Sequence, residues 1–134
     1  RVPPHRCTTA ATASSRNRTS RSHTGMPRDW DEDGVALWRD GMRAIVGAEN
    51  ISVKISALGM MKQDWTVDDI RPFVLDTIEI IGVDRCMFAS NFPVDSLFSD
   101  YATLWQAYDE ITSGFSAAER SKLFSGNAER YYRI

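Results

Sequence analysis

The stretch Met87-Phe88-Ala89-Ser90-Asn91-Phe92-Pro93-Val94-Asp95 runs from an apolar segment into Ser and Asn and, across a Pro turn, a carboxylate. Apolar runs of this length that stop at a polar cluster deliver side chains from a buried strand to its carboxyl end. Ligands collect there in barrels and in open α/β sheets. An Asn91 amide at such a place can orient a water or a substrate oxygen, an Asp95 carboxylate can accept a proton, and Ser90 is the adjoining substrate contact. The alternative is that Asn91 and Asp95 only hydrogen-bond a Pro-containing turn.

Two other residues have chemical potential. In "ISVKISAL", Lys54 shares the polar side of a period-two pattern with Ser52 and Ser56, opposite Ile51, Val53, Ile55 and Ala57. If that face looks into a barrel lumen, the Lys54 ammonium binds substrate or stabilises developing negative charge; if it looks at water, Lys54 is an ordinary surface lysine. His23, in "HTGMP", precedes a Gly turn as a strand-end residue does, although a lone His is more often incidental. No His-x-His, His-Glu-x-x-His or paired-Cys spacing accompanies it, so the motifs alone specify no metal site.

The elements that would carry these residues are legible from Asp31 onward. Asp31-Glu32-Asp33 suits a helix start, and Val35, Trp38, Met42, Ile45 and Val46 fall on one face ending near Gly47. The strand Ile51–Ala57 follows. A second helix opens with a Thr66/Asp69 capping box and runs to Gly82, with Pro72 expected to break or restart its first turns. Residues 85–90 read as a strand buried on both faces, and strand parity places Asn91 with Met87 and Ala89, away from Cys86 and Phe88. Helices over about 101–112, 117–124 and 127–132 close the chain, the middle one opened by Ser116 with Glu119. Helix, strand, helix, strand is an α/β order with a crossover long enough for a parallel pair. Two such strands need more neighbours, which points to the C-terminal part of a larger α/β fold.

Composition narrows the function classes. With 134 residues, 43% of them hydrophobic and 25% charged, the chain is one globular domain, and no window approaches a membrane span. No signal-peptide core is present, so a cytoplasmic location is the expectation. Cys7 and Cys86 suggest no disulfide framework, and Cys86 reads as a buried reduced thiol. Residues 1–23 carry five arginines and no acid, leaving 11 basic against 18 acidic residues in the rest. Residues 1–22 hold too little apolar surface to offset their ordering entropy and are expected to be disordered. A basic nucleic-acid arm on a non-enzymatic helical module is the competing reading. The arm lacks aromatic residues and the body is acidic, which disfavours it.

Four ordered motifs, "HTGMP", "ISVKISALG", "GVDRCMFASNFPVD" and "FSGNAERYYRI", make residues 23–134 resemble the last part of the amidohydrolase-related metal-dependent hydrolases of (β/α)8 TIM-barrel fold, the lactonase-like branch. The resemblance implies that His23 ends strand six, Ile51–Ala57 is strand seven and residues 85–90 are strand eight. It implies hydrolysis of a lactone or similar small carbonyl substrate by an activated water. It also implies a divalent metal such as zinc, for which His23 is the candidate ligand; Lys54 and Ser90 are the candidate substrate contacts. The family's usual Asp at the end of strand eight is Asn91 here, and an amide cannot accept a proton near neutral pH. Asp95, or a group outside this chain, is therefore the expected base, and Asn91 positions. The histidine pair of strand one and the ligands of the middle strands have no counterpart. The chain is thus expected to be a fragment, inactive by itself, with residues 1 to about 22 a frame-shifted or mis-joined translation.

Overall fold

A computed structural model of the chain describes residues 20–24, 26–60 and 62–134. Three parallel strands form one sheet in the order β1 (Ser20–His23), β2 (Ile51–Ile55), β3 (Cys86–Phe88). The register sets Ser20 beside Ile51 and His23 beside Lys54, then Lys54 beside Met87. Ser20, Arg21 and Ser22 are therefore part of a strand, not of the unstructured segment expected through residue 22. Ser and Arg are not strand-favouring residue types; pairing with β2 supplies the backbone hydrogen bonds, and such tertiary context overrides β-propensity. Expectations for residues 1–19, Cys7 included, lie outside the described residues.

Helix α1 (Glu32–Val46) begins where the acidic run predicted: the Asp31 side chain accepts a hydrogen bond from the Gly34 amide at 2.7 Å, and Glu32 and Asp33 occupy the positive end of the helix. A Cβ on Gly34 would collide with the Asp29 backbone carbonyl oxygen. Gly34→Ala is thus expected to lower stability by about 1–3 kcal/mol, although alanine favours helix by about 1 kcal/mol. The thermal midpoint measures this, and an unchanged midpoint would mean that the Asp29 turn yields.

Helix α2 (Val67–Ile81) starts at the expected reciprocal cap. The Asp69 amide donates to the Thr66 hydroxyl, and the Thr66 amide donates to the Asp69 carboxylate. Its carboxyl is held below the usual range, first by a hydrogen bond from Lys62, then by the Thr66 amide. Pro72 does not break the helix, contrary to expectation, but lies inside it. A proline costs a helix interior about 3 kcal/mol. Burial of Ile70, Phe73, Val74, Thr77, Ile78 and Ile81 on one face outweighs that, at roughly 1.5–3 kcal/mol for each large apolar side chain.

The remaining helices are α3 (Tyr101–Ile111), α4 (Ala117–Ser121) and α5 (Asn127–Tyr132). The Ser116/Glu119 cap opens α4 as expected. A π-type turn, Lys122–Gly126, joins α4 to α5, so the two expected segments form one continuous helical run. The core lies between the helices and one sheet face, where Val53, Ile55, Cys86 and Phe88 meet Ile70, Val74, Ile78, Leu104, Tyr108 and Leu123. Phe88 stacks on Tyr108 and meets Phe124 edge-on, so Phe88 packs against the helices, on the same core side as Cys86. Cys86 is a free buried thiol pushed up to about 12 by desolvation, which leaves it unreactive.

The amino-terminal edge of the sheet is stitched by side chains. Arg85 donates to the Val46, Ala48 and Ile81 carbonyls, binding the ends of α1 and α2 to the start of β3. The Asn127 amide donates to the Val83 and Cys86 carbonyls at 2.6 and 2.7 Å. Among the described residues no helix is long and apolar enough to cross a membrane.

Candidate functional site

Because all three strands run the same way, His23, Ser56 and Ser90-Asn91 lie at one edge of the sheet, the carboxyl end. Two groupings occupy it. The first joins β1 to β2: His23 Nδ1 lies 2.6 Å from the Ser56 hydroxyl, and the Thr24 hydroxyl donates to the Lys54 carbonyl at 3.2 Å. Ser56 is fully buried, so it cannot meet a substrate; it fixes the ring of exposed His23. Desolvation, and then the Lys54 charge, lowers the imidazole pKa, favouring neutral His23 near neutral pH. The half-buried Lys54 is consistent with a polar face that is not bulk surface.

The second grouping follows β3. Pairing stops at Phe88, and the Ala89 amide makes one further bond to the Ile55 carbonyl. Asn91 then turns into the left-handed region with φ 55°, which Asn tolerates better than most residues. Parity therefore does not extend to Asn91, whose direction is set by the turn. Its amide nitrogen donates to Asp95 Oδ1 at 2.8 Å and lies 3.6 Å from the Met60 sulfur. Asp95 is only 4% exposed. Burial raises its carboxyl pKa, and the Asn91 hydrogen bond partly opposes this. The Ser90 hydroxyl accepts from the Phe92 amide at 3.3 Å. Asn91 and Asp95 thus bond each other within the turn, as the turn reading has it, and the turn sits at the strand ends.

Beneath both groupings lies a residue that the sequence did not single out. Tyr108, fully buried on α3, places its hydroxyl 3.0 Å from the Ile55 carbonyl and 3.1 Å from that of Ala89, joining the ends of β2 and β3. Its only sequence signal is a polar aromatic within an apolar helix face. Burial, with the Asp95 charge second, raises its pKa and keeps it protonated. Among the described residues no cluster of three or more His, Cys, Asp or Glu side chains could hold a metal ion. Tetrahedral zinc sites take three or four such ligands, so the described residues do not by themselves fit one.

Known proteins resemble the chain in sequence and fold. The sequence profile of the amidohydrolase family matches residues 21–134. The Sinorhizobium fredii protein y4mH is 50% identical over 113 residues, covering 84% of this chain and 38% of its own length. A Burkholderia multivorans L-fucono-1,5-lactonase is 33% identical over 126 residues, covering 84% of this chain and 42% of its own. Two crystal structures of a B. multivorans amidohydrolase, one with bound HEPES and one with bound zinc, superpose with TM-scores of 0.78 and 0.77 at 26% identity. They cover 85% and 84% of this chain and 44% and 42% of theirs. The chain spans about two fifths of the length of these relatives. A helical module with a basic arm finds no support in these matches, and the parallel sheet argues against it. Profile, relatives and parallel architecture agree: the chain belongs to the amidohydrolase family of hydrolases.

Proposed function

We propose that this chain supplies part of the active-site rim of a hydrolase that opens a lactone or a similar small carbonyl substrate. The oxygen of a water adds to the carbonyl carbon, its proton passes to a base, the ring C–O bond breaks, and the ring oxygen leaves as a hydroxyl after gaining a proton. Lys54 directs its ammonium at the developing oxyanion or a substrate carboxylate, while Asn91 and Ser90 hold the substrate. His23, fixed by Ser56, offers one ligand to a divalent metal such as zinc, completed by groups outside the described residues. Asp95, or a group outside this chain, is the expected base; the covering of Asp95 and its bond to Asn91 favour the group outside the described residues.

The observation that carries this reading is the parallel register, which sets His23 beside Lys54 at the same edge as Ser90 and Asn91. The lactonase relative supplies the substrate class. Alone, the chain is expected to show no turnover. Mixed with the amino-terminal part of the B. multivorans lactonase that precedes the matched region, it should release acid from a sugar-acid lactone in a pH-stat. Lys54→Met should lower that rate about 100-fold, as loss of one charge-stabilising group does. Equal rates for the variant and the parent would remove Lys54 from the reaction, and no acid release from any lactone would remove the substrate class.

A further inference from the structure

We infer that Asp95 is a positioning residue: with the Met60 sulfur it engages the Asn91 amide nitrogen, so that the Asn91 carbonyl oxygen becomes the outward-facing acceptor at the end of β3. An ionised carboxylate only accepts hydrogen bonds, so the side of the amide facing Asp95 must be its nitrogen. The 2.8 Å contact with Asp95 Oδ1 meets that requirement, and the second amide hydrogen has the Met60 sulfur at 3.6 Å. Both donors thus have partners within the protein, and Asn91 Oδ1 accepts no hydrogen bond among the described residues. The turn reinforces the geometry, because the Asp95 main-chain amide donates to the Asn91 main-chain carbonyl at 3.1 Å and closes a ring between the same two residues.

The chemical consequence is a choice of ligand atom. A carbonyl oxygen backed by a buried carboxylate takes a hydrogen-bond donor, a hydroxyl or a water, and repels an anion. The anion-seeking group, Lys54, lies on the neighbouring strand. Only this consequence rests on the lactone-hydrolase reading; the orientation of the amide stands or falls independently of turnover.

The test uses the full chain labelled with nitrogen-15 asparagine, which gives four side-chain amide signals, from Asn17, Asn50, Asn91 and Asn127. Asn127, bonded to two backbone carbonyls, reports that the fold is intact. Asn91→Ala assigns the Asn91 pair. In the parent chain those protons should exchange about tenfold or more slowly than in free asparagine, as a hydrogen bond to a charged acceptor implies. Asp95→Ala should abolish the protection while the Asn127 signal persists. Protection that is absent in the parent chain, or that survives Asp95→Ala, would overturn the proposal.

A second measurement stands if Asp95→Ala does not fold. Removing the donor in Asn91→Ala should move the Asp95 carboxyl carbon titration to higher pH, and an unmoved midpoint would overturn the proposal from the other side. Failure of either measurement leaves the pH-stat result intact. Loss of lactone turnover leaves the amide orientation intact.

Discussion

Tyr108→Ala should lower the stability of the chain by about 3–5 kcal/mol, the range for deleting a large buried aromatic side chain. Tyr108 has no exposed surface. Its ring stacks nearly parallel on Phe88 with centroids 4.2 Å apart, and lies 5.6 Å from Trp105 edge-on, so truncation opens a cavity between β3 and α3. Tyr108→Phe separates packing from hydrogen bonding. It keeps the ring and removes the side-chain donor that Tyr108 offers to the Ala89 carbonyl, at an expected cost of about 1–3 kcal/mol. Urea midpoints at constant slope give both values. If Tyr108→Phe matches the parent, the two carbonyls are satisfied by other groups and the hydroxyl does not join the strand ends.

Asn91→Asp is the second large effect, and it depends on pH. The substitution places a carboxyl within hydrogen-bond distance of Asp95, which is already buried. Two carboxylates this close cannot both ionise cheaply: unit charges 4 Å apart repel by about 1 kcal/mol in water and about 4 kcal/mol at an effective dielectric of 20. The pair should hold one proton between them well above the ordinary carboxylate range. The sign follows from linkage. In the parent, the folded Asp95 pKa is raised above 3.8, so its contribution is complete below that value and is lost as pH rises through the folded pKa. Asn91→Asp should push that loss to higher pH and enlarge it. Unfolding midpoints should match the parent near pH 3 and fall below it by pH 8. Parallel curves across that range would show that the carboxyls do not face one another.

Much of the frame was legible because it obeys local rules. Asp31 with its acidic neighbours fixed the start of α1, and the Thr66/Asp69 and Ser116/Glu119 pairs fixed two more helix starts, each a matter of three-residue spacing. The parallel relation of β2 to β3 followed from the length of the intervening helix. What escaped depends on distant partners. Ser20–Ser22 form a strand only because β2 offers its backbone. Pro72 stays within α2 because burial outweighs its local cost. The site shows the same division. Lys54, Ser90 and Asn91 could be nominated from alternation and from the end of an apolar run. The pairing of His23 with Ser56, 33 residues away, and of Asn91 with Met60, 31 away, could not, because neither spacing follows a secondary-structure period. The positive φ at Asn91 belongs with these, since strand parity does not extend through a left-handed residue.

The Arg85 and Asn127 contacts at the opposite edge of the sheet give the molecule two ends of unequal character. One end is lashed down by charged and amide groups gripping main-chain oxygen, at the opposite edge from Ser90 and Asn91. On the function proposed above, the other carries the residues that a change of substrate would have to alter. Mutational drift at the rim can therefore proceed against a fixed foundation, which lets a scaffold of this kind exchange one chemistry for another without being rebuilt.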